Sequence, residues 1–198
     1  MVIVATGPLT TLSDILKNHP DLKSKIRALY WMGGAIHVPG NITDALINKK
    51  ALNDKAEWNV FADAFAADWI FNHTTFDIFL IPLDVTNYAK ITPAFLDELQ
   101  KRKERGFVHA DFILGAYQTI CDLGLYYMWD VVTAAAFTHP EFFEEPRITK
   151  LKVQTTQVDH GAIICDDDGR DVHVYLRFKD DEITPFHQYI LDLTSTSL

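Results

Sequence analysis

Apolar runs at Val2–Thr6, Ala28–Met32 and Phe76–Leu83 lack the strict alternation of half-exposed strands. They predict parallel strands buried on both faces. Gly7-Pro8 turns the chain after the first run, and Leu9, Leu12, Ile15 and Leu16 recur at helical spacing, predicting a helix over Pro8–Asn18. A second helix is predicted over Asp63–Asn72, so strand and helix alternate. Thr92–Arg105 reads as an amphipathic helix with a solvated basic end, and Asp111–Asp122 and Val131–Thr138 as further helices. Beyond Pro146 the pattern shortens: Ile148–Thr155, Ala162–Cys165 and Val172–Phe178 predict short strands, with Asp166–Gly169 as a hairpin turn. Phe186–Leu193 closes the chain as a helix.

This order predicts an α/β fold: an open, mostly parallel sheet flanked by helices, with short C-terminal strands and a closing helix. Ligands of such sheets bind at the carboxyl ends of the strands, where Thr6, Met32 and Asp84 fall. A buried strand that starts at the second residue predicts that the N-terminal part of the sheet is missing. Residues 1–198 therefore read as a single domain truncated at its N-terminus. Lys49–Lys55 reads as a polar excursion within it.

A formal net charge of −9 supplies no basic stripe and excludes nucleic acid as the expected partner. Cys121 and Cys165 form neither a metal spacing nor a disulfide framework, in keeping with a reducing compartment. The opening residues lack the basic region of a signal peptide, and no stretch is long and apolar enough to span a bilayer. The expected location is cytoplasmic, with no membrane partner.

Candidate chemistry is sparse and each residue has a plain alternative. Glu57 and Asn59 flank Trp58; in an extended segment they point the same way and offer a carboxylate and a carboxamide to a sugar hydroxyl. On Ala56–Asn59 alone, a loop with Asp63 capping the next helix is the favoured reading. Met32-Gly33-Gly34 allows either close approach of a ligand or a simple turn, and Asn41 after Val-Pro-Gly is equally a turn residue. Asp130 reads as a helix N-cap or as a hard oxygen ligand to a divalent cation. Trp129 lies in an aromatic stripe with Tyr126 and Tyr127 that suits packing as well as binding. Asp84 ends a strand or caps the segment after it.

Five motifs in one order bind these residues together: ATGPLT at 5–10, WMGGAIHVPGN at 31–41, AEWN at 56–59, IPLDVT at 81–86 and YYMWDVVTAA at 126–135. With them the chain resembles the nucleoside hydrolase family, which cuts the N-glycosidic bond of ribonucleosides. The resemblance implies a small-molecule nucleoside as substrate, a homo-oligomer, and a bound calcium ion holding the attacking water and the ribose hydroxyls. It implies Thr6 (through its carbonyl) and Asp130 as metal ligands, with Asp130 in the catalytic machinery. Asn41, Glu57, Asn59 and Met32 are implied as ribose contacts. Many members carry histidine before the calcium aspartate; Trp129 in that place resembles the purine-preferring branch, where aromatic rings stack on the base.

The family also opens with an aspartate cluster of the form DxDxxxDD, which supplies further calcium ligands and the general base. The sequence contains no such run, and Asp166–Asp168 falls too late to replace it. Thr11 and Ala64 stand where asparagine and proline are common in the family. The calcium site is accordingly expected to be incomplete. Three readings stand open: a purine-leaning nucleoside hydrolase; an inactive remnant that binds ligands or partners; and an active enzyme whose missing strand comes from another chain.

Overall fold

The computed structural model describes residues 1–43, 50–51, 53–121 and 126–195. Leu52 and one end of the Lys49–Lys55 excursion, and the end of the Asp111–Asp122 helix, lie outside the described residues. Six strands form one sheet: β1 Val2–Ala5, β2 Ala28–Met32, β3 Asp77–Ile81, β4 Arg147–Val153, β5 Ile163–Cys165 and β6 Arg170–Val174, in the order β1-β2-β3-β6-β4-β5. The first four in that order run parallel; β4 is antiparallel to both its neighbours. The helices are α1 Thr10–Asn18, α2 Trp58–Ala62, α3 Ala64–His73, α4 Leu83–Thr86, α5 Pro93–Glu104, α6 Val108–Cys121, α7 Trp129–Thr138 and α8 Thr184–Leu193. The α/β class, the mostly parallel sheet and the closing helix are as expected.

The twofold alternation of side chains divides the interior into two layers. Leu29, Trp31, Ile78 and Leu80 point to the layer under α1 and α3, among Leu16, Val60, Ile70 and Phe71. Tyr30, Phe79 and Ile81 point the other way, towards α5 to α8 and Phe95, Leu99, Val132 and Phe186. On that second face Tyr30, Phe79 and His173 are register partners across β2, β3 and β6, and their rings stack at 4.4 and 4.6 Å. Such cross-strand contacts lock the register on which the strand ends depend.

The helix ends are tied by polar side chains. Asp63 caps α3 by accepting from Ala66 N at 2.9 Å, as anticipated, and also accepts from the Thr10 hydroxyl at 2.6 Å. At the other end of α3, the Arg170 guanidinium donates to the carbonyls of Ile70, Phe71 and Phe76 and to the Thr74 hydroxyl. One side chain at the start of β6 thereby satisfies carbonyls that a helix end leaves open.

Two expectations need correction. β1 is not buried on both faces: Val4 is 38% exposed, and among the described residues β1 is an edge strand paired with β2. Asp166–Gly169 is not a hairpin turn. β5 and β6 both pair with β4, on its opposite edges, so they are parallel to one another and the four residues carry the chain across β4. Turn composition marks a change of direction, but the partner of each strand is a long-range choice. The crossing is tight, since a methyl group on Gly169 would lie 2.7 Å from both the N and the O of Leu151.

Gly169→Ala is therefore expected to destabilise the fold by about 1–3 kcal/mol, through overpacking against backbone that cannot yield. Gly115→Ala, in the interior of α6 with nothing within 4 Å of the added carbon, is expected to stabilise it by about 0.5–1 kcal/mol. Urea unfolding of the two variants measures both signs.

Candidate active site

The parallel strands deliver their carboxyl ends to one edge of the sheet, where Thr6 follows β1 and Met32 ends β2. Glu57 sits beside them, 1% exposed, with extended backbone at the N-cap of α2. Its Oε2 accepts from Asn59 N at 3.0 Å and Val60 N at 3.2 Å, and also from Gly34 N at 3.0 Å. Gly34 reaches it from φ +81°, a conformation that other side chains resist. One carboxylate oxygen thus joins the start of α2 to the segment after β2. Oε1 takes none of these three bonds.

Burial pushes the Glu57 carboxyl above its ordinary range, and the converging N–H groups oppose that shift. Asn59 is not in an extended segment, contrary to expectation; it lies in the first turn of α2. Its Nδ2 donates to Met32 O at 3.0 Å and Thr6 O at 3.4 Å, and touches Met32 Sδ at 3.3 Å. Asn41 Oδ1 accepts from Trp58 N at 2.8 Å. Backbone partners fix both amides: the two carbonyls demand the nitrogen of Asn59, and the Trp58 N–H demands the oxygen of Asn41. Asn59 is left with an acceptor to present, and Asn41 with a donor.

Trp31 Nε1 donates to Gly7 O at 3.0 Å, pinning the turn beside Thr6. Five of the anticipated residues, Thr6, Met32, Asn41, Glu57 and Asn59, are therefore connected through hydrogen bonds or adjoining backbone. Trp129 reaches the group by packing against the cluster of Met32, Ala35 and Leu83. Its indole Nε1 is buried without a partner.

Asp130 joins this group through no hydrogen bond or ion pair among the described residues, although its helix α7 packs against β1 and β2. It borders a cavity of about 190 Å³ together with Tyr117, Tyr126, Tyr127 and Trp129. Nor is it the cap of α7, since Met128 occupies that position and Asp130 lies in the first turn. Its crowded surroundings push its carboxyl upward by desolvation, and its charge helps raise Tyr126.

Asp84, likewise, caps nothing: its two oxygens accept from Ile36 N and His37 N, each at 2.8 Å. Its partners lie 47 and 48 residues away, so only its place at the end of a strand hinted at a role.

Calcium takes about six to eight oxygen ligands. Thr6 O and the Asp130 carboxylate supply too few, and among the described residues no group of three or more His, Cys, Asp or Glu side chains could hold a metal. The described residues do not by themselves fit that ion.

The sheet, its flanking helices and the polar cluster at the strand ends make an α/β fold with a candidate ligand site at the carboxyl edge. Residues 1–184 match the family described as inosine-uridine preferring nucleoside hydrolase, and the chain belongs to that family. It is 31% identical to the inosine-uridine preferring nucleoside hydrolase of Bacillus anthracis, whose crystal structure it matches with a TM-score of 0.84 over 98% of this chain and 60% of that one. It is 30% identical to the non-specific ribonucleoside hydrolase RihC of Escherichia coli O1:K1, over all of this chain and 62% of the relative. It is also 30% identical to probable uridine nucleosidase 1 of rice (Oryza sativa subsp. japonica), over 83% of this chain and 48% of the relative. The chain thus spans about half to three-fifths of the length of these relatives.

Glu57→Ala strips the acceptor from three N–H groups and is expected to cost about 1–3 kcal/mol for each donor left buried and unsatisfied. Glu57→Gln keeps one oxygen for the cap and is expected to fold. Because the Glu57 carboxyl is raised on folding, its contribution to stability is fully present below its ordinary range and is lost as pH rises through the raised value. The Tm of the wild type should therefore fall relative to that of Glu57→Gln as pH rises from below about 4 to about 8; a constant gap would place the Glu57 charge in a solvated setting.

Calorimetric titration of the chain with calcium is expected to show weak binding that Asp130→Ala abolishes. Tight stoichiometric binding that survives Asp130→Ala would put the metal elsewhere.

Proposed function

We propose that this site binds the ribose of a ribonucleoside and serves hydrolysis of its N-glycosidic bond, with a leaning towards purines. The observation that carries this reading is the Asn59 amide, which draws the carbonyls of Thr6 and Met32 together beside the Glu57 cap. The groups that the cluster offers outward are matched to a vicinal diol: an acceptor on Asn59, a donor on Asn41, and the Glu57 oxygen that the three N–H groups leave untouched. Family membership supplies the reaction to which such a site belongs.

Cleavage passes through a ribosyl cation with oxocarbenium character, and the Glu57 carboxylate near the sugar stabilises the positive charge as it develops. Trp129, packed against the Met32 cluster, offers a ring face to the departing base. Stacking is worth about 1–3 kcal/mol per base, and the larger purine ring gains more of it. No step is assigned to a metal ion. Asp130 is assigned to the same pocket as a negative charge beside the aromatic wall, and its roles as calcium ligand and catalytic residue belong to this proposal.

A second reading is a chain that holds nucleosides without cutting them: Thr6 O and the Asp130 carboxylate supply fewer oxygens than a calcium ion takes.

Inosine binding, followed by tryptophan fluorescence, and reducing-sugar release, measured on the same preparation, separate the two. Saturable binding with turnover supports the hydrolase; binding without turnover supports the holding protein; absence of binding overturns both. Trp129→Ala is expected to weaken inosine binding on the order of 10-fold and uridine binding less. Equal losses on both nucleosides would make Trp129 a packing residue and remove the purine leaning.

A further inference from the structure

We propose that Asp84 is a positioning residue for the Glu57–Asn59–Asn41 cluster, acting through the segment 33–41. Asp84 is 7% exposed and lies in the short helix α4 that comes after β3. Its carboxylate spends both oxygens on consecutive N–H groups of that segment, Oδ2 on Ile36 and Oδ1 on His37. Two backbone bonds flank this clamp, from Leu83 N to Gly34 O at 2.9 Å and from Gly33 N to Ile81 O at 3.3 Å. Residues 33–37 are stitched in this way to the end of β3.

The same segment then makes two contacts with the candidate site. Gly34 N donates to Glu57 Oε2, and Asn41 Oδ1 accepts from Trp58 N. Between them Val38 packs on the cluster of Met32, Ala35 and Leu83, with Trp129 on the same cluster. The segment is a strap, pinned at one side on Asp84 and at the other on the first turn of α2. Where the strap sits decides where Glu57, Asn41 and the Trp129 wall stand relative to one another.

The chemistry requires an acid here. Here the two successive N–H groups take one oxygen each, a pairing that a carboxylate serves with two charge-assisted bonds. Asparagine supplies one, and its NH₂ then faces a second N–H, donor against donor. No ion pair holds Asp84 among the described residues, so its anchoring rests on these two bonds. Asp84 lines one cavity with Arg147, Arg177, His37 and Tyr88, and neither arginine is ion-paired to it among the described residues.

Amide exchange of ¹⁵N-labelled wild type and Asp84→Asn tests the strap directly. Loss of one charge-assisted bond is expected to raise local opening, so protection at Gly34 and Trp58 should fall about 10-fold or more, while Leu99 in α5 and Leu114 in α6 change less than about 2-fold. The Kd for inosine should rise about 10-fold in step; this arm alone rests on the nucleoside reading. Unchanged protection at Gly34 and Trp58 overturns the proposal. So does an equal fall at all four amides, which would mark Asp84 as a general stabiliser. If wild type binds no inosine, the nucleoside reading fails while the exchange pattern still decides the role of Asp84. Should Asp84→Asn not fold, Asp84→Ser, which keeps one acceptor in less volume, is read by the same four amides.

Discussion

Three backbone N–H groups converging on Oε2 of Glu57 are the interaction on which the site depends. A carboxylate in that position caps α2, which is ordinary work for an acidic side chain at a helix start. The third donor, from Gly34, makes it more than a cap, because it ties α2 to the end of β2 across 23 residues of chain. Asn59, in the first turn of the same helix, can then reach the carbonyls of Thr6 and Met32 together. Removing the carboxylate would free both the helix start and the strap, so the candidate site and the local fold share one anchor.

The cost of the arrangement is electrostatic. Among the described residues the buried Glu57 carboxylate is held by N–H dipoles, and burial raises its protonation equilibrium against them. Asp130 shows the same tendency beside Tyr126 and Trp129. In both acids desolvation is the first cause of the shift.

Family membership and local geometry answer different questions here. Similarity to longer nucleoside hydrolases places the chain in the family, while the chain spans only part of those relatives. The described residues carry the Glu57–Asn59–Asn41 polar cluster in connected form, with Trp129 packed on the neighbouring Met32 cluster. Among them Thr6 and Asp130, the two implied metal ligands, supply fewer oxygens than calcium takes.

Much of the fold was legible in the sequence, because twofold and 3.6-residue periodicities are local properties. The runs at Ala28–Met32 and Phe76–Leu83, the helix after Asp63 and the closing helix all came from them. The residues of the site were legible only through the order of five motifs, since Glu57 or Asn41 alone reads as well as a cap or a turn. Tertiary structure decided the rest. Asp166–Gly169 has the composition of a hairpin turn, yet β4 claims both flanking strands and the chain crosses over it. Asp130 looks like a cap, yet helix α7 begins one residue earlier. Asp84 grips N–H groups 47 and 48 residues away. The strand that β5 and β6 share and the N–H groups that Asp84 grips are chosen by long-range packing, and no local pattern records them.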